Sequence, residues 1–576
     1  MRQLKAVRAA TMAFATASLA SLSPAALSAQ DHAQDPAQDQ ASDHAGPVDP
    51  RWRGTTIYFL LTDRFANGDV SNDRSVGRKA DGGPLRSFEG GDLRGLTQRI
   101  EQGWFNALGV DAIWTTPVIE NVHGFVEEGA WGRTYAYHGY WPKDWTAVDP
   151  NFGTEADFAA MVKTAHGKGL RVIVDVIANH AGPATPLDPQ WPEAWVRRRP
   201  ACDYRDFAGT VDCELSFTLQ DMRTDSEAPV ALPDFLIAKW RKEGRLRREL
   251  AELDTFFART GYPRAPKYYL VKWLTDWVRD YGIDGFRVDT AKHVDPELWA
   301  VLKKEAEIAL GEWRARNPSR IAGDRPFYMV GEVFNHGLLA NGHTVGAAYD
   351  YGDRLVDFRD YGFDGTINMG FASHLLMPLP ALYRAFDAEL ATGAFAGRAT
   401  LSYLASHDDM GSHDQPRAKH FEAAEALLLA PGGAQIYYGD EIARSLVVPE
   451  TKGDATLRSS FDWRQIDTDA GRAMLGHWQR LGQFRGRHLA IGAGRHIELA
   501  HKPYTFARVL DEGGITDRLV VAMTPDTTGP IAVRTGTIFA DGTRVRDAYS
   551  GEIARVAAGS IQILRPGRVV LLEVAD

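Results

Sequence analysis

Eight short apolar runs, set between residues 55 and 438 and separated by longer amphipathic stretches, restrict what this chain can fold into more than any other feature. They occupy 55–62, 110–115, 170–178, 285–290, 327–332, 365–369, 400–406 and 434–438. Strand-length runs alternating with helical ones are the pattern of repeated βα units around a parallel sheet. Polar and ionisable residues follow each run at its C-terminal end. That favours a (β/α)8 barrel of the TIM type over an open doubly wound sheet, because barrel sites gather at that rim.

The helical stretches carry their own signal. Leu270, Trp273, Leu274, Trp277, Val278 and Tyr281 recur at helical spacing before the turn Tyr-Gly-Ile-Asp-Gly, so Trp273 and Trp277 read as core residues and not as ligand platforms. Residues 181–262 interrupt the alternation after the third run. An interval of that length is seldom structureless, and it is expected to be a small inserted domain. After residue 484 the pattern changes to short alternating stretches divided by Gly and Asp turns, which predicts a C-terminal antiparallel β-sandwich domain over 485–576. The barrel then comprises 51–180 and 263–484.

At the other end, Arg2, Lys5 and Arg8 precede an Ala-rich apolar stretch closing in small residues near Ala29, which reads as a secretory signal peptide over 1–29, too short to span a bilayer. Residues 30–50 hold no large apolar side chain except Val48 and read as a flexible acidic linker. Losing the leader removes three basic and no acidic residues and takes the formal charge from −10 to −13, which argues against nucleic acid or an anionic membrane as partner. Cys202 and Cys213 are the only cysteines. Export favours a disulfide between them, with two free buried thiols as the alternative.

Four of the runs end in residues that can do chemistry: DVIANH, GFRVDTAKH, MVGEVF and YLASHDD. A single acidic residue after a strand is most often a helix cap. Four such ends on one rim bring Asp289, Glu332 and Asp408 together with Arg287, and glycoside cleavage needs two carboxyl groups flanking the scissile bond. Arg287 lies two positions before Asp289, on the same strand face, and is expected to hold it ionised while Glu332 keeps its proton.

Taken in this order, the four segments resemble the signature regions of the α-amylase superfamily, glycoside hydrolase family 13, and the stretch 135–154 (YAYHGYWPKDWTAVDPNFGT) resembles the family's segment after its second strand. The likeness runs from about Ile57 to Glu441, and DRFANGD and TAKHV bring it nearest to the exported bacterial members. It implies a retaining hydrolase of α-1,4-glucans such as starch or maltodextrins. Asp289 would be the nucleophile, Glu332 the acid and Asp408 the transition-state stabiliser. Asp175 would brace Arg287, His180 and His407 would bind hydroxyls of the glucose unit beside the cut, Tyr140 would stack on its ring near His138, and Lys292 would reach toward the reducing side. Calcium is the implied cofactor. One ion would be held by Asn179, Asp221 and the carbonyl of His293, and a second by Asn67, Asp69, Asn72, Asp73, Gly90 and Asp92, for which a plain Asx-rich turn is the alternative. The sequence departs from the family at Ser406 and in Leu219 to Arg223, where Gln220 and Arg223 stand in unexpected places. A cyclomaltodextrinase or a 4-α-glucanotransferase would use the same carboxylates, and a non-catalytic carbohydrate-binding protein would have no need of them. The implied setting is a periplasmic or secreted monomer acting on an α-glucan.

Overall fold

A computed structural model describes residues 46–197, 200–216, 218–320, 323–525 and 527–575. The leader and residues 30–45 lie outside them. Each of the eight runs forms a strand: β1 Thr56–Leu60, β2 Ala112–Thr115, β3 Arg171–Val176, β4 Gly285–Val288, β5 Tyr328–Gly331, β6 Gly365–Asn368, β7 Ala399–Tyr403 and β8 Gly433–Tyr437. All pair in parallel with both neighbours, and β1 closes the barrel by pairing with β2 and β8. Strands shielded on one side by the barrel interior and on the other by helices have no wet face, which is why they read as continuous apolar runs and not as alternating ones.

The helix Pro266–Tyr281 begins with proline, whose fixed φ suits a first turn, and buries Trp273 and Trp277. Trp273 stacks on Trp195 of the inserted region at 5.8 Å, so the tryptophans are core, as their spacing predicted. The helix stops at Gly282 (φ 76°), where a Cβ would fall 2.2 Å from the Trp313 ring. Only glycine allows this helix end to close onto its neighbour.

Between β3 and this helix, the ribbon His180–Ala181 pairs with Gln220–Asp221, and the helices Asp234–Lys242 and Leu246–Thr260 follow. Cys202 and Cys213 form a disulfide. The C-terminal region is antiparallel: six strands in the order Arg495–His501, Tyr504–Glu512, Ile515–Met523, Val569–Val574, Arg544–Asp547 and Ile553–Arg555, with a two-stranded sheet, Ile531–Arg534 and Ser560–Ile563, sharing a second core around Val520, Val533, Val545 and Leu572.

Two boundaries differ from the sequence reading. The helix Asp469–Arg487 runs past residue 484, so the β region starts at Arg495; a Gly-containing amphipathic helix end carries no composition change to mark it. The end of the segment read as linker packs on the barrel: Val48 is buried, its amide donates to Gly397 O at 2.8 Å, and Asp49 caps the helix Pro50–Arg53. One apolar side chain and one backbone bond suffice to seat an extended strand of chain, and composition averaged over 21 residues conceals them. Among the described residues, no helix is long and apolar enough to cross a membrane.

Closing a loop of eleven residues' separation restricts the unfolded chain by about 3 kcal/mol in the loop-entropy model. Replacing Cys202 and Cys213 by Ser is expected to lower the melting temperature correspondingly, and a non-reduced digest of the native protein to yield the two peptides linked. Two freely alkylatable thiols would contradict this.

Candidate active site

The barrel register builds the site around one side chain. Arg287 on β4 stands beside Asp175 on β3 and Val330 on β5, and Asp289, two residues on, points to the same face. The guanidinium is 2% exposed. Its Nη1 lies 2.9 Å from Asp175 Oδ1 and 2.9 Å from Asp289 Oδ1, and its Nη2 lies 2.9 Å from Glu332 Oε2. Three consecutive strand ends therefore deliver three carboxyls to one cation. Asp175 also accepts from Trp114 Nε1 (3.1 Å) and from the Tyr140 hydroxyl (2.7 Å). Glu332 Oε2 accepts the backbone N–H of Thr290 at 2.9 Å, an amide presented by a residue in the left-handed region, φ 48°.

Asp408, after β7, belongs to a second cation. Arg458 Nη2 reaches Asp408 Oδ1 at 2.5 Å and Asp454 Oδ2 at 2.6 Å, and His407 Nε2 lies 2.8 Å from Asp408 Oδ2, close but without hydrogen-bond alignment. The Asp408 side chain is 42% exposed and opens into the cleft.

Burial raises the carboxyls of Asp289 and Asp175 to about 6 against the pull of Arg287, and raises Glu332 in the same way, with Asp289 and Asp408 adding repulsion. Burial acts on Asp408 too, but His407 and Arg458 outweigh it and hold that carboxyl far below its ordinary range. Arg287 thus serves Glu332 as well as Asp289. The contrast between these two carboxyls does not come from Arg287 favouring Asp289, as the sequence spacing suggested; strand spacing shows which residue is near Asp289 and says nothing of β5. Five carboxyls face two guanidiniums, and crowded like charges retain a proton among them.

Of the remaining predicted residues, His138, Tyr140 and His180 line one cavity of ≈ 240 Å³ with Asp289, Asp408 and Arg458. Other hollows in the molecule are larger, so this one is identified by its chemistry and not its size. Tyr140's backbone N–H donates to His138 Nδ1 at 3.0 Å, which leaves the proton on Nε2. His180 Nε2 donates to Tyr140 O at 3.1 Å, and burial keeps both imidazoles neutral by lowering their values, His138 the more strongly. The Tyr140 ring stacks on His407 at 5.2 Å. Lys292 stands apart from this wall. Its ammonium bonds to Phe334 O (3.3 Å) and the Tyr349 hydroxyl (3.1 Å), beyond Glu332, and burial lowers it to about 8.

Members of both groups of oxygen donors lie together. Asn179 and Asp221 are buried side by side, Asn179 Nδ2 being 3.5 Å from Asp221 Oδ1. No lysine or arginine among the described residues forms an ion pair with Asp221, and burial raises its carboxyl. An ionised Asp221 calls for a cation, which fits a metal. His293 binds Thr210 O of the inserted region through Nδ1 at 2.8 Å. In the other group, Asn67 Nδ2 bonds to Asp73 Oδ1 (2.8 Å), Asn72 Oδ1 is buried with no partner, and a Cβ at Gly90 would fall 2.5 Å from Asn67 Nδ2. The orphaned oxygen and the tight glycine fit an ion. Asp92 and Asp69 are otherwise engaged: Asp92 caps the helix Leu93–Glu101 and accepts from Gly68 and Asp69, and Asp69 pairs with Arg94 at 2.7 Å.

Sequence reasoning missed Arg458, Trp114 and Thr290. Trp114 is the last residue but one of β2, and the rule that barrel chemistry gathers near strand ends could have found it. Arg458 ends the short 3-10 helix Gly453–Arg458, which carries no motif. The departures are structural: Gln220 bonds to Trp191 N and Gly182 O, Arg223 to the carbonyls of Glu193 and Val196, and Ser406 Oγ accepts the Asp409 amide in a turn.

Comparison with known proteins agrees with this geometry. Residues 59–480 match the model of the α-amylase catalytic domain. A periplasmic α-amylase of Escherichia coli is 37% identical over 81% of this chain and 71% of its own length. A cyclomaltodextrin glucanotransferase of Bacillus licheniformis is 28% identical over 67% of this chain and 48% of its own. The α-amylase of Geobacillus thermoleovorans, solved with acarbose, shares the fold with a TM-score of 0.61 at 21% identity, covering 91% of this chain and 99% of that one. The chain belongs to the α-amylase superfamily, glycoside hydrolase family 13, and carries its catalytic domain.

Proposed function

We propose that this protein is an exported α-amylase that hydrolyses α-1,4-glucosidic bonds with net retention, with Asp289 as nucleophile, Glu332 as acid and base, and Asp408 as stabiliser of the transition state. The observation that carries the reading is the sharing of Arg287 by Asp289 and Glu332. Two carboxyls held by neighbouring nitrogens of one guanidinium are drawn together, which supports the short separation, about 5 Å, that attack by a carboxylate requires over the wider gap that must admit a water. Asp289 Oδ attacks the anomeric carbon while Glu332 gives its proton to the departing glycosidic oxygen. A water then attacks the glycosyl ester, passes its proton to Glu332 and releases Asp289. Asp408, kept anionic by Arg458 and His407, faces the positive charge that develops on the sugar ring. His138, through its Nε2 proton, His180, His407 and Tyr140 would bind the glucose unit beside the cut, and Lys292 the departing side.

Calcium would be held by Asn179, Asp221 and the carbonyl of His293, and a second ion by Asn67, Asn72, Asp73 and Gly90, with Asp69 and Asp92 bordering it. When bound it would neutralise Asp221 and tie the inserted region to the barrel. Export is supported by the leader pattern, the disulfide and the periplasmic relative. A glucanotransferase would use the same carboxyls, and such enzymes are among the relatives; product chromatography from soluble starch and from cyclodextrin separates the two, since a transferase makes longer or cyclic chains.

Asp289→Asn and Glu332→Gln are each expected to abolish most turnover on starch. With an activated substrate and azide, Glu332→Gln alone should return a product of retained configuration. Inversion in the first product of the unmodified enzyme, followed by proton NMR, would refute the mechanism.

The rate should fall as pH drops through about 6, where Asp289 takes up a proton, and fall again on the alkaline side once the carboxyls sharing Arg287 lose the proton they hold between them. Because the folded value of Asp289 lies above its unfolded one, its contribution to stability is present at low pH and lost as pH rises through about 6. Asp289→Asn should therefore melt higher than the parent at pH 7, by on the order of 2 kcal/mol, with the advantage shrinking toward pH 4. A lower melting temperature at every pH would contradict the account.

Dialysis against chelator should lower both melting temperature and activity, and calcium should restore them. An unchanged melting curve after verified metal removal would count against both sites.

A further inference from the structure

The wall that carries Asp289 and Asp408 continues outward to Arg86, Glu128, Trp131 and Asp454. Arg86 is 3% exposed and joins three rim segments. From the segment after β1, its Nη1 reaches Glu128 Oε2 (2.8 Å) and Thr134 Oγ1 (3.3 Å) in the hairpin after β2, and its Nη2 reaches Lys452 O (2.9 Å) and Asp454 Oδ1 (3.2 Å) after β8. Asp454 shares Arg458 with Asp408. A continuous run of polar contacts thus leads from Asp408 to the tip of the hairpin.

Trp131 stands at that tip. Of the fifteen tryptophans it alone is exposed, at 46%. Its ring lies 5.0 Å from the Arg86 guanidinium, and Gly453 abuts its edge, where a Cβ would come within 3.3 Å. An indole left half in water buries little apolar surface for the fold, yet here it is held in place on one side by a buried cation and lines the reaction cleft. An aromatic ring in a fixed pose, presented at low entropic cost, suits the C–H face of a pyranose.

We propose that Trp131, positioned by Arg86, is a stacking platform for a glucose unit of the glycone part of the chain, beyond the unit at the cut. The direction rests on the α-glucan reading above. Glu332 protonates the departing oxygen, so the aglycone lies on its side, with Lys292 and Phe334. The wall that holds Trp131 includes Asp408 and Tyr140 and neither Glu332 nor Lys292. Trp131 therefore selects for length: it touches substrates whose glycone extends along the wall and not those with a single unit there.

The test compares maltoheptaose with α-glucosyl fluoride, whose glycone is one unit. Trp131→Ala should lower the ratio of kcat/KM for maltoheptaose over that for the fluoride by roughly tenfold, mainly through KM. Trp131→Phe should restore much of it, and Arg86→Ala, which frees the ring, should lower the ratio in the same direction. A ratio unchanged in Trp131→Ala, because both substrates lose alike or neither loses, would overturn the proposal, and turnover of the fluoride shows that the variant is folded. A parent enzyme inert to both substrates would count against the α-glucan reading itself.

Discussion

A guanidinium taken out of water at the mouth of a barrel costs several kcal/mol unless carboxylates answer it, and Arg287 is answered three times over, from β3, β4 and β5. The rest of the site depends on that arrangement. The parallel register sets Asp175 beside Arg287, the two-residue period turns Asp289 to the same face, and the next strand end brings Glu332. Asp175 is bound in turn by Trp114 and Tyr140, so the residue that braces the cation also orients the ring at the floor of the cavity. Removing Arg287 would leave a cluster of buried anions, whereas removing one carboxylate relieves repulsion among the others. The fold tolerates this strain because the barrel strands on which these residues sit are buried and paired on both sides.

The third carboxylate is governed separately. Asp408 faces a second guanidinium on a loop that follows β8, and its anion is held far more firmly than those around Arg287. Two centres of charge, one shared by the proposed nucleophile and acid and one dedicated to the proposed stabiliser, divide the electrostatics of the cleft. The same second centre runs through Asp454 to Arg86, so the loops along the cleft wall are tied to the group proposed to stabilise the transition state.

Much of this was legible in the chain. The eight strands appear as apolar runs because parallel barrel strands are buried on both faces, and the four chemical segments sit at strand ends because that rim is where side chains meet a ligand. The core role of Trp273 and Trp277 followed from helical spacing. What the sequence conceals is lateral. Nothing in MVGEVF says that Glu332 reaches the same guanidinium as Asp289, since that depends on β4 and β5 being neighbours in register. Arg86 lies in an irregular loop and Arg458 at the end of the short 3-10 helix Gly453–Arg458, and nothing in the sequence links either one to the distant rim segments it joins. The helix reaching Arg487 and the seat of Val48 were missed for a related reason: one side chain or one helical turn settles each boundary, and composition averages them away.

The account turns on Asp289 being the atom-transferring carboxylate of the Arg287 cluster. A 5-fluoro-α-glucosyl fluoride, whose electronegative substituent slows breakdown of the ester more than its formation, allows the covalent species to be isolated and its peptides weighed. The account predicts the fluoroglucosyl mass on the peptide that contains Asp289 and on no other. The same mass on a peptide containing Glu332 or Asp408, or inactivation without any sugar bound to the chain, would contradict it.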